Sequence, residues 1–183
     1  GRRVFVGADP AVGDAALVVE RPARNAADAQ RWRLLRVQPG GRETPLHEDS
    51  RPIVDAAIDD EGKLAWLMRA EGEAHVLYRL ASPWQAVLTC AVPRRCRLLG
   101  TSSEGGLWLM GNVDADLSGL LHVAADGTVT RVHQDPRGEA DLNHVALDPV
   151  DGAPRFLGYD STVPQLLARS AEDDARLASV RRA

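Results

Sequence analysis

The sequence lacks the features that would assign it to a membrane or to a nucleic acid. Its longest apolar runs, such as 15–19 and 86–88, are far shorter than the roughly 20 residues that span a bilayer, and no signal-peptide pattern opens the chain. The formal net charge of -4 provides no broad basic surface for a phosphate backbone. We therefore expect a soluble protein, cytoplasmic or periplasmic, that binds neither a nucleic acid nor a membrane.

Cysteine and lysine are also scarce. The only two cysteines, Cys90 and Cys96, lie six positions apart, and they would form a loop disulfide if the protein is exported, but two cysteines do not fix the compartment. Without further Cys or His at ligand spacing, they do not predict a structural zinc site. Lys63 is the only lysine among 22 lysines and arginines, a bias that we attribute to genome base composition.

The overall composition is that of one folded globular unit, because 44% of the 183 residues are hydrophobic and 26% are charged. The first residue is Gly1 rather than Met, and the strand-like Val4-Phe5-Val6 follows almost at once. We therefore expect the chain to be an excised fragment of a longer protein.

A segment of about forty residues is duplicated in the middle of the chain. Trp-Leu-Met occurs at 66–68 and again at 108–110, which is 42 residues later, each time after a turn that contains Glu-Gly. A polar stretch and a second strand-like stretch follow in both copies, at 75–80 and 119–123. The same order of turns and strands extends to both sides, at 16–37 and 148–159.

Each copy predicts four short strands joined by turns. Pro39-Gly40-Gly41 and Asp126-Gly127 lie where a third and a fourth strand would join, and Asp-Gly tolerates the positive φ of a hairpin turn. A repeat of this length and content is typical of a β-propeller blade. The alternative is a β-sandwich with accidental internal similarity.

We therefore predict an all-β fold, a partial β-propeller of about four four-stranded antiparallel blades with a short C-terminal helix. The chain would be a single propeller fragment, 1–183, with approximate blades at 1–50, 51–92, 93–138 and 139–183. The helix is expected at 171–180, after Ser170 as its N-cap. Four blades leave an open sheet face or edge, which favours pairing with missing blades or self-association through open blade edges.

Several segments then carry a resemblance to a known family. The stretch 111–134 resembles a blade with an aspartate, a leucine-rich strand and an Asp-Gly turn, and the parts of the next blade are Asp135-Pro136, 146–149, Gly152 and 159–167. The same pattern fits the segment 171–177, and also the segment 76–80 together with Trp84. On these residues the chain resembles the N-terminal propeller of bacterial serine peptidases of the prolyl oligopeptidase family. The loop 90–96 departs from the acidic-proline loop of that pattern.

In that family the propeller caps an α/β-hydrolase domain that carries the catalytic Ser, Asp and His. The resemblance implies a non-catalytic lid that excludes large folded proteins, admits peptides and helps to orient them. The implied partner is the C-terminal α/β-hydrolase domain of the same intact protein, and the peptide substrate is contacted only indirectly. No cofactor is implied.

The sequence contains no catalytic motif of its own. A nucleophile elbow requires G-x-S-x-G, and the nearest match, Gly100 to Gly105 around Ser102, has its last glycine one position too late. Gly40-Gly41 and Gly105-Gly106 are interpreted as turn glycines rather than phosphate loops. No Glu-Glu pair occurs, so the amine-binding function of dipeptidyl-peptidase relatives is not transferred. We therefore name no catalytic residue and expect no enzymatic activity from this chain alone.

Metal binding is not predicted either. His122 and His133 could face each other across a hairpin, but we interpret the five histidines as structural; they are His47, His75, His122, His133 and His144.

A second candidate metal site imitates a calcium loop. Asp114, Asp116, Ser118 and Gly119 match its opening, but Ala125 occupies the place of the distal bidentate Glu. We therefore expect a solvated loop that connects two blades.

Arginine and tryptophan give two further expectations. Arg94, Arg95 and Arg97 form a small basic cluster that could meet a substrate carboxylate or a neighbouring domain, although a solvated loop is favoured. The repeated phase of Trp66 and Trp108 indicates packing between blades, and Trp32 and Trp84 are expected in the core or half-buried.

Two other functions remain open. A free-standing propeller used as a protein-interaction scaffold is the main alternative, because this fold serves many functions. An independent small hydrolase is the third, and it predicts turnover of a peptide or ester by the isolated chain.

Overall fold

The computed structural model describes residues 2–9, 11–22, 31–93 and 96–182. The chain forms two compact units, Gly1–Pro93 and Arg94–Ala183. Each unit contains two antiparallel sheets, and the strands of every sheet are hydrogen-bonded in chain order.

The first unit contains sheets A and B, each with four strands. Sheet A consists of β1 (Arg3–Ala8), β2 (Ala16–Glu20), β3 (Trp32–Val37) and β4 (Glu43–Asp49). Sheet B consists of β5 (Ile53–Ile58), β6 (Leu64–Glu71), β7 (Ala74–Arg79) and β8 (Gln85–Ala91).

The second unit contains sheets C and D. Sheet C consists of β9 (Cys96–Thr101), β10 (Leu107–Gly111), β11 (Gly119–Val123) and β12 (Val129–His133). Sheet D consists of β13 (Leu142–Leu147), β14 (Pro154–Tyr159) and β15 (Gln165–Ala168), and the helix α1 (Ala171–Arg181) follows it.

The predicted all-β, propeller-like chain of four antiparallel blades with a short C-terminal helix is confirmed. Sheet D differs from the prediction because it has three strands rather than four in the part of the chain that the structure describes. Ser170 diverts the chain after β15, since its Oγ accepts the N–H of Asp173 at 3.1 Å as a helix N-cap. Three acidic residues in the first turn of α1 add favourable charge at the helix N-terminus.

The two tight turns predicted from sequence join the third strand to the fourth in sheets A and C. Gly40 and Gly41 have φ of 90° and 86°, and Gly127 has φ of 92°. These are values that glycine adopts without steric strain. The turn residues therefore fix where each pair of strands reverses.

The second and third strands of all four sheets share one pattern of opposed residues. One opposed pair recurs as Leu17–Arg36, Trp66–Arg79, Trp108–His122 and Phe156–Ala168. A neighbouring pair recurs as Val19–Leu34, Met68–Leu77, Met110–Leu120 and Gly158–Leu166. Because opposed residues of antiparallel strands point to the same side of a sheet, these residues define one face, which we call the front face.

The front faces of sheets A and C form one side of the core in their own units. In the first unit Leu17, Val19 and Leu34 pack with residues of the opposite, rear face of sheet B, among them Leu67. In the second unit Leu120, with Trp108 and Met110, packs against the rear face of sheet D; the residues there include Leu142, Leu157 and Tyr159. Within each unit, one sheet therefore presents its front to the rear of the next.

The duplicated tryptophans occupy equivalent positions. Trp66 and Trp108 both lie on the second strand of their sheet and on its front face. Trp66 is 1% exposed, whereas Trp108 is half-buried within the packing between sheets C and D. Trp32 is half-buried against the core of the first unit, as expected, but Trp84 is 39% exposed and the prediction of a core or half-buried position is wrong for it.

Glycine recurs in the turn between the first and second strands of sheets B, C and D. Gly62, Gly105 and Gly152 have φ of 77°, 73° and 68°. At Gly152 the turn also approaches sheet C so closely that a Cβ would lie 2.5 Å from the carbonyl oxygen of Thr101, whereas nothing lies within 4 Å of a Cβ at Gly105. Gly152 is therefore required both by its backbone angles and by the space around it.

We predict that Gly152→Ala destabilises the protein more than Gly105→Ala does. Both substitutions place a side chain at positive φ, which costs about 1–2 kcal/mol, but only the first also pushes a methyl group against a backbone carbonyl, which adds about 1–3 kcal/mol. Urea unfolding of the two variants measures the difference. Equal losses would show that the turn of sheet D does not rest against Thr101.

Candidate functional site

The turn between the first and second strands begins with the same type of backbone bond in every sheet. The first residue of the turn donates its N–H to the carbonyl that closes the turn, at 2.7–3.0 Å, and these residues are Asp9, Asp59, Ser102 and Asp148. The three aspartate carboxylates also accept N–H groups from within their own turns. Sheet C is the exception, because a serine replaces the aspartate and the serine hydroxyl lies beside a histidine.

Ser102 and His122 form a half-buried polar pair in sheet C. Ser102 Oγ lies 3.2 Å from His122 Nε2, and the His122 ring lies 4.5 Å from the ring of Trp108. Gly106 makes this approach feasible, since a Cβ there would lie 2.7 Å from His122 Nε2 and 2.9 Å from Ser102 Oγ. The second glycine of the Glu-Gly-Gly turn therefore leaves room for the serine and the histidine to meet.

Nucleophilic catalysis by a serine requires a histidine beside it that acts as the base. It also requires donors, such as backbone N–H groups, that stabilise the oxyanion. Two amides of this turn are already bonded within the hairpin. Ser102 N donates to the carbonyl of Gly106 and Gly105 N donates to the carbonyl of Ser102, both at 3.0 Å. These two amides therefore close the hairpin, and the inactivity of Ser102 as a nucleophile stays a prediction.

Sheet A holds an ion pair at the equivalent position. Asp9 opens the turn as Ser102 does, and Arg36 lies opposite Leu17 as His122 lies opposite Trp108. The Nε of Arg36 donates to Asp9 Oδ2, and its Nη2 donates to the carbonyl of Gly62 in sheet B at 2.7 Å. The Asp9 side chain is fully buried, so Arg36 neutralises a buried carboxylate and joins the two sheets.

We predict that Arg36→Met destabilises the protein by about 3–5 kcal/mol, because it leaves the buried Asp9 carboxylate without its partner. The matched control is Arg33→Met on the same strand. It removes a partly exposed contact with Glu20 at 3.5 Å and should change stability by no more than about 1 kcal/mol. Chemical unfolding of both variants measures this. Losses of similar size would contradict the role given to Arg36.

The structure separates the two histidines that the sequence suggested could face each other, so that hypothesis is wrong. His122 opposes Thr130, whereas His133 opposes Leu120. The Nδ1 of His133 lies 2.7 Å from the hydroxyl of Tyr159, which links the last strand of sheet C to the middle strand of sheet D. Burial raises the pKa of Tyr159 to about 12, so this hydroxyl stays protonated in the physiological range.

His133 prefers to be neutral in the folded protein. Burial, together with the guanidinium of Arg169, lowers the pKa of His133, and the carboxylate of Asp135 opposes this shift. The unfolded chain therefore binds a proton more readily than the folded one. Stability is highest above the ordinary histidine pKa of about 6.5 and falls as the pH drops below it.

We predict that unfolding experiments at about pH 7.5 and about pH 5.5, on either side of the histidine pKa, show a loss of stability on acidification. His133→Gln should reduce this loss, because glutamine keeps hydrogen-bonding capacity and does not titrate in this range. His144→Gln serves as the control, since the His144 side chain is 75% exposed. An unchanged pH dependence in His133→Gln would contradict the assignment.

The segment that imitates a calcium loop joins β10 to β11 within sheet C, so the expectation that it connects two blades is wrong. It does not gather its oxygen ligands. Asp114 and Asp116 are exposed, and the hydroxyl of the buried Ser118 donates to the carbonyl of Leu142 at 2.9 Å. Among the described residues, no group of three or more His, Cys, Asp or Glu side chains is placed to hold a metal ion.

The structure describes the disulfide state of the loop 90–96 but only part of its arginine cluster. Cys90 and Cys96 are both disulfide-bonded. Arg97 is exposed at the start of β9, whereas Arg94 and Arg95 lie outside the described residues, so the arginine cluster stays a prediction.

An open polar groove of about 420 Å³ lies between the β13–β14 turn and α1. Arg155 donates from Nε to Asp173 Oδ2 at 3.1 Å and from Nη1 to Asp148 Oδ2 at 3.2 Å, and its Nη2 contacts Asp173 Oδ1. The hydrogen bonds between Arg155 and Asp173 raise the pKa of the arginine and lower that of the aspartate. These charges therefore bind each other and fasten α1 to sheet D.

An aromatic cluster surrounds the exposed Trp84 in the first unit, and sequence reasoning missed it. The guanidinium carbon of Arg69 lies 4.3 Å from the ring centre of Tyr78 and 5.3 Å from that of Trp84, and the His47 ring lies 5.2 Å from Trp84. Arg69 Nη1 also donates to Asp49 Oδ2 at 3.1 Å. We call Arg69, Tyr78, Trp84 and His47 the Trp84 patch. Because its members come from three strands and a loop, no local sequence motif predicts it.

Comparison with known proteins assigns no family. No protein-family model matches the chain, and no curated protein matches it. Among the described residues, no helix is both long and apolar enough to cross a membrane.

Proposed function

We propose that this chain is the non-catalytic propeller domain of a prolyl oligopeptidase-type serine peptidase, where it controls the access of peptides to a separate α/β-hydrolase domain. The recurring front-face register of the four sheets carries the proposal. It supports four equivalent blade-like sheets, which pack front to rear within each unit, as expected of the family that the sequence resembles.

Access control needs a rigid scaffold, and the packing within each unit suits that role. Leu17 and Leu34 of sheet A, and Leu120 of sheet C, are at most 1% exposed. Densely packed interiors resist deformation, so the turns at the ends of such sheets are held at fixed positions. Turns held in this way limit the size of what passes between them.

Catalysis would belong to the other domain, which supplies the nucleophile, the base and the oxyanion donors. The Ser102–His122 pair is consistent with this division, because the N–H groups of Ser102 and Gly105 close the hairpin. The partner of this domain is then the hydrolase domain of the same protein, and the peptide is contacted in passing.

A free-standing interaction scaffold is the second candidate, and the Trp84 patch favours it. Exposed Trp, Tyr and Arg side chains are the residue types that contribute most to binding at protein interfaces. Trp84 is 39% exposed and lies beside both Tyr78 and Arg69.

We predict that the purified chain releases no product from fluorogenic peptides or esters above the rate of Ser102→Ala. The amides of Ser102 and Gly105 are bonded within the hairpin and do not stabilise an oxyanion. Labelling with a fluorophosphonate probe gives a second readout, and neither protein should react. A rate that the probe blocks and Ser102→Ala abolishes would instead establish an independent hydrolase.

The coding sequence that follows Ala183 distinguishes the two leading candidates. A G-x-S-x-G motif followed by Asp and His within a few hundred residues supports the peptidase propeller. A gene without that series contradicts it and favours the scaffold.

A further inference from the structure

In three of the four sheets, the outer edge of the third strand is paired with a fourth strand. One equivalent residue of each third strand opposes a residue of the fourth, and these pairs are Leu34–His47, Leu77–Leu88 and Leu120–His133. Leu166 of β15 holds the same register position in sheet D, but no fourth strand follows β15 in the part of the chain that the structure describes. The outer edge of β15 is therefore the place where sheet D could accept a strand.

The backbone groups of Leu166 and Ala168 face this edge. The N–H of Arg169, just after β15, donates to the carbonyl of Arg155 in β14 at 2.9 Å. Because residues of an antiparallel strand bond alternately to one side and to the other, Leu166 and Ala168 point away from β14. The carbonyl of Leu166 agrees with this direction, since it accepts a hydrogen bond from Nη2 of Arg181 in α1 at 2.9 Å.

The helix α1 lies against β15 and is held there by few contacts. Its last residue, Arg181, supplies the hydrogen bond to Leu166, and its first turn is held by the ion pair between Asp173 and Arg155. Leu177 is the only apolar side chain of α1 that is buried. Segments with few buried apolar contacts are the ones that open locally while the rest of a protein stays folded.

The chemistry of this edge suits an extended segment that is uncharged. β15 reads Gln-Leu-Leu-Ala and carries no charge, and Leu166 is 41% exposed. An apolar side chain opposite Leu166 would cover it, as Leu88 opposes Leu77 in sheet B, whereas a charged one would be placed against an apolar surface. An added strand would also gain main-chain hydrogen bonds along β15, which is the mode of recognition called β-augmentation.

We propose that α1 is a displaceable strap on the outer edge of sheet D, and that an extended, uncharged segment of another protein adds to β15 as an antiparallel fourth strand when the strap moves away. The segment replaces Arg181 as the donor to the carbonyl of Leu166 and places an apolar side chain opposite Leu166. The inference does not depend on the peptidase assignment.

The test is the binding of a capped, fluorescent peptide, Ser-Thr-Val-Leu-Val-Thr-Ser, to the full chain, measured by fluorescence anisotropy. The wild-type chain is expected to bind it. A control peptide keeps the same side chains but carries N-methyl groups on its central amides, so it cannot donate hydrogen bonds to β15. It should bind at least about tenfold more weakly. Equal binding of the two peptides would overturn the proposal.

Two substitutions at the edge should change the affinity for this peptide in opposite directions. Arg181→Met removes the side chain that competes for the carbonyl of Leu166, so the peptide should bind about fivefold more tightly. Arg182→Met, next to it at the exposed end of α1, is the matched control and should have no effect. Ala168→Pro removes an N–H that points outward and spares the bonds to β14, so it should weaken binding at least about tenfold.

Amide hydrogen exchange locates the peptide and follows the strap. Binding should slow exchange at Leu166 and Ala168 and speed it along α1, because the added strand takes the place that the helix leaves. Thermal unfolding without peptide shows whether the variants keep the wild-type fold. The proposal fails if neither the wild-type chain nor Arg181→Met binds the peptide, if Arg181→Met binds it no more tightly than Arg182→Met, or if α1 becomes more protected on binding.

Discussion

Side-chain alternation along the second and third strands decides what each sheet can pack against. A strand places successive side chains on opposite faces, and a shift by one residue would move the whole apolar set to the wrong side. In sheet A this register places Leu17, Val19 and Leu34 together toward sheet B. The core of each unit follows from that single constraint.

The repeat could be predicted from sequence only where the same residue types recur at equivalent positions. Trp66 and Trp108 are recognisable as equivalent residues because each begins a Trp-Leu-Met triplet after a glycine-containing turn. Leu17 and Phe156 hold the same register position, but the position requires only an apolar side chain, so no common motif marks them. The three-stranded form of sheet D does not follow from the repeat, because the residues after β15 fit both a blade and a helix, and the Ser170 cap favours the helix.

The polar pairs could not be predicted because strand pairing brings distant residues together. Asp9 and Arg36 lie 27 positions apart, and Ser102 and His122 lie 20 apart. Their meeting depends on turn lengths and on irregularities of register, such as the shift between Trp108 and Leu109. The sequence does draw attention to Ser102, because it lies near a hairpin turn, but the last glycine there stands one position too late for a nucleophile elbow.

The C-terminal helix has a consequence for the edge of sheet D. The outermost strand, β15, reads Gln-Leu-Leu-Ala and carries no charge, a composition that favours the addition of strands from other molecules and the growth of fibrils. Arg181, at the end of α1, donates to the backbone carbonyl of Leu166 at 2.9 Å. The last turn of the helix thus occupies one of the backbone acceptors that a strand from another molecule would use at this edge.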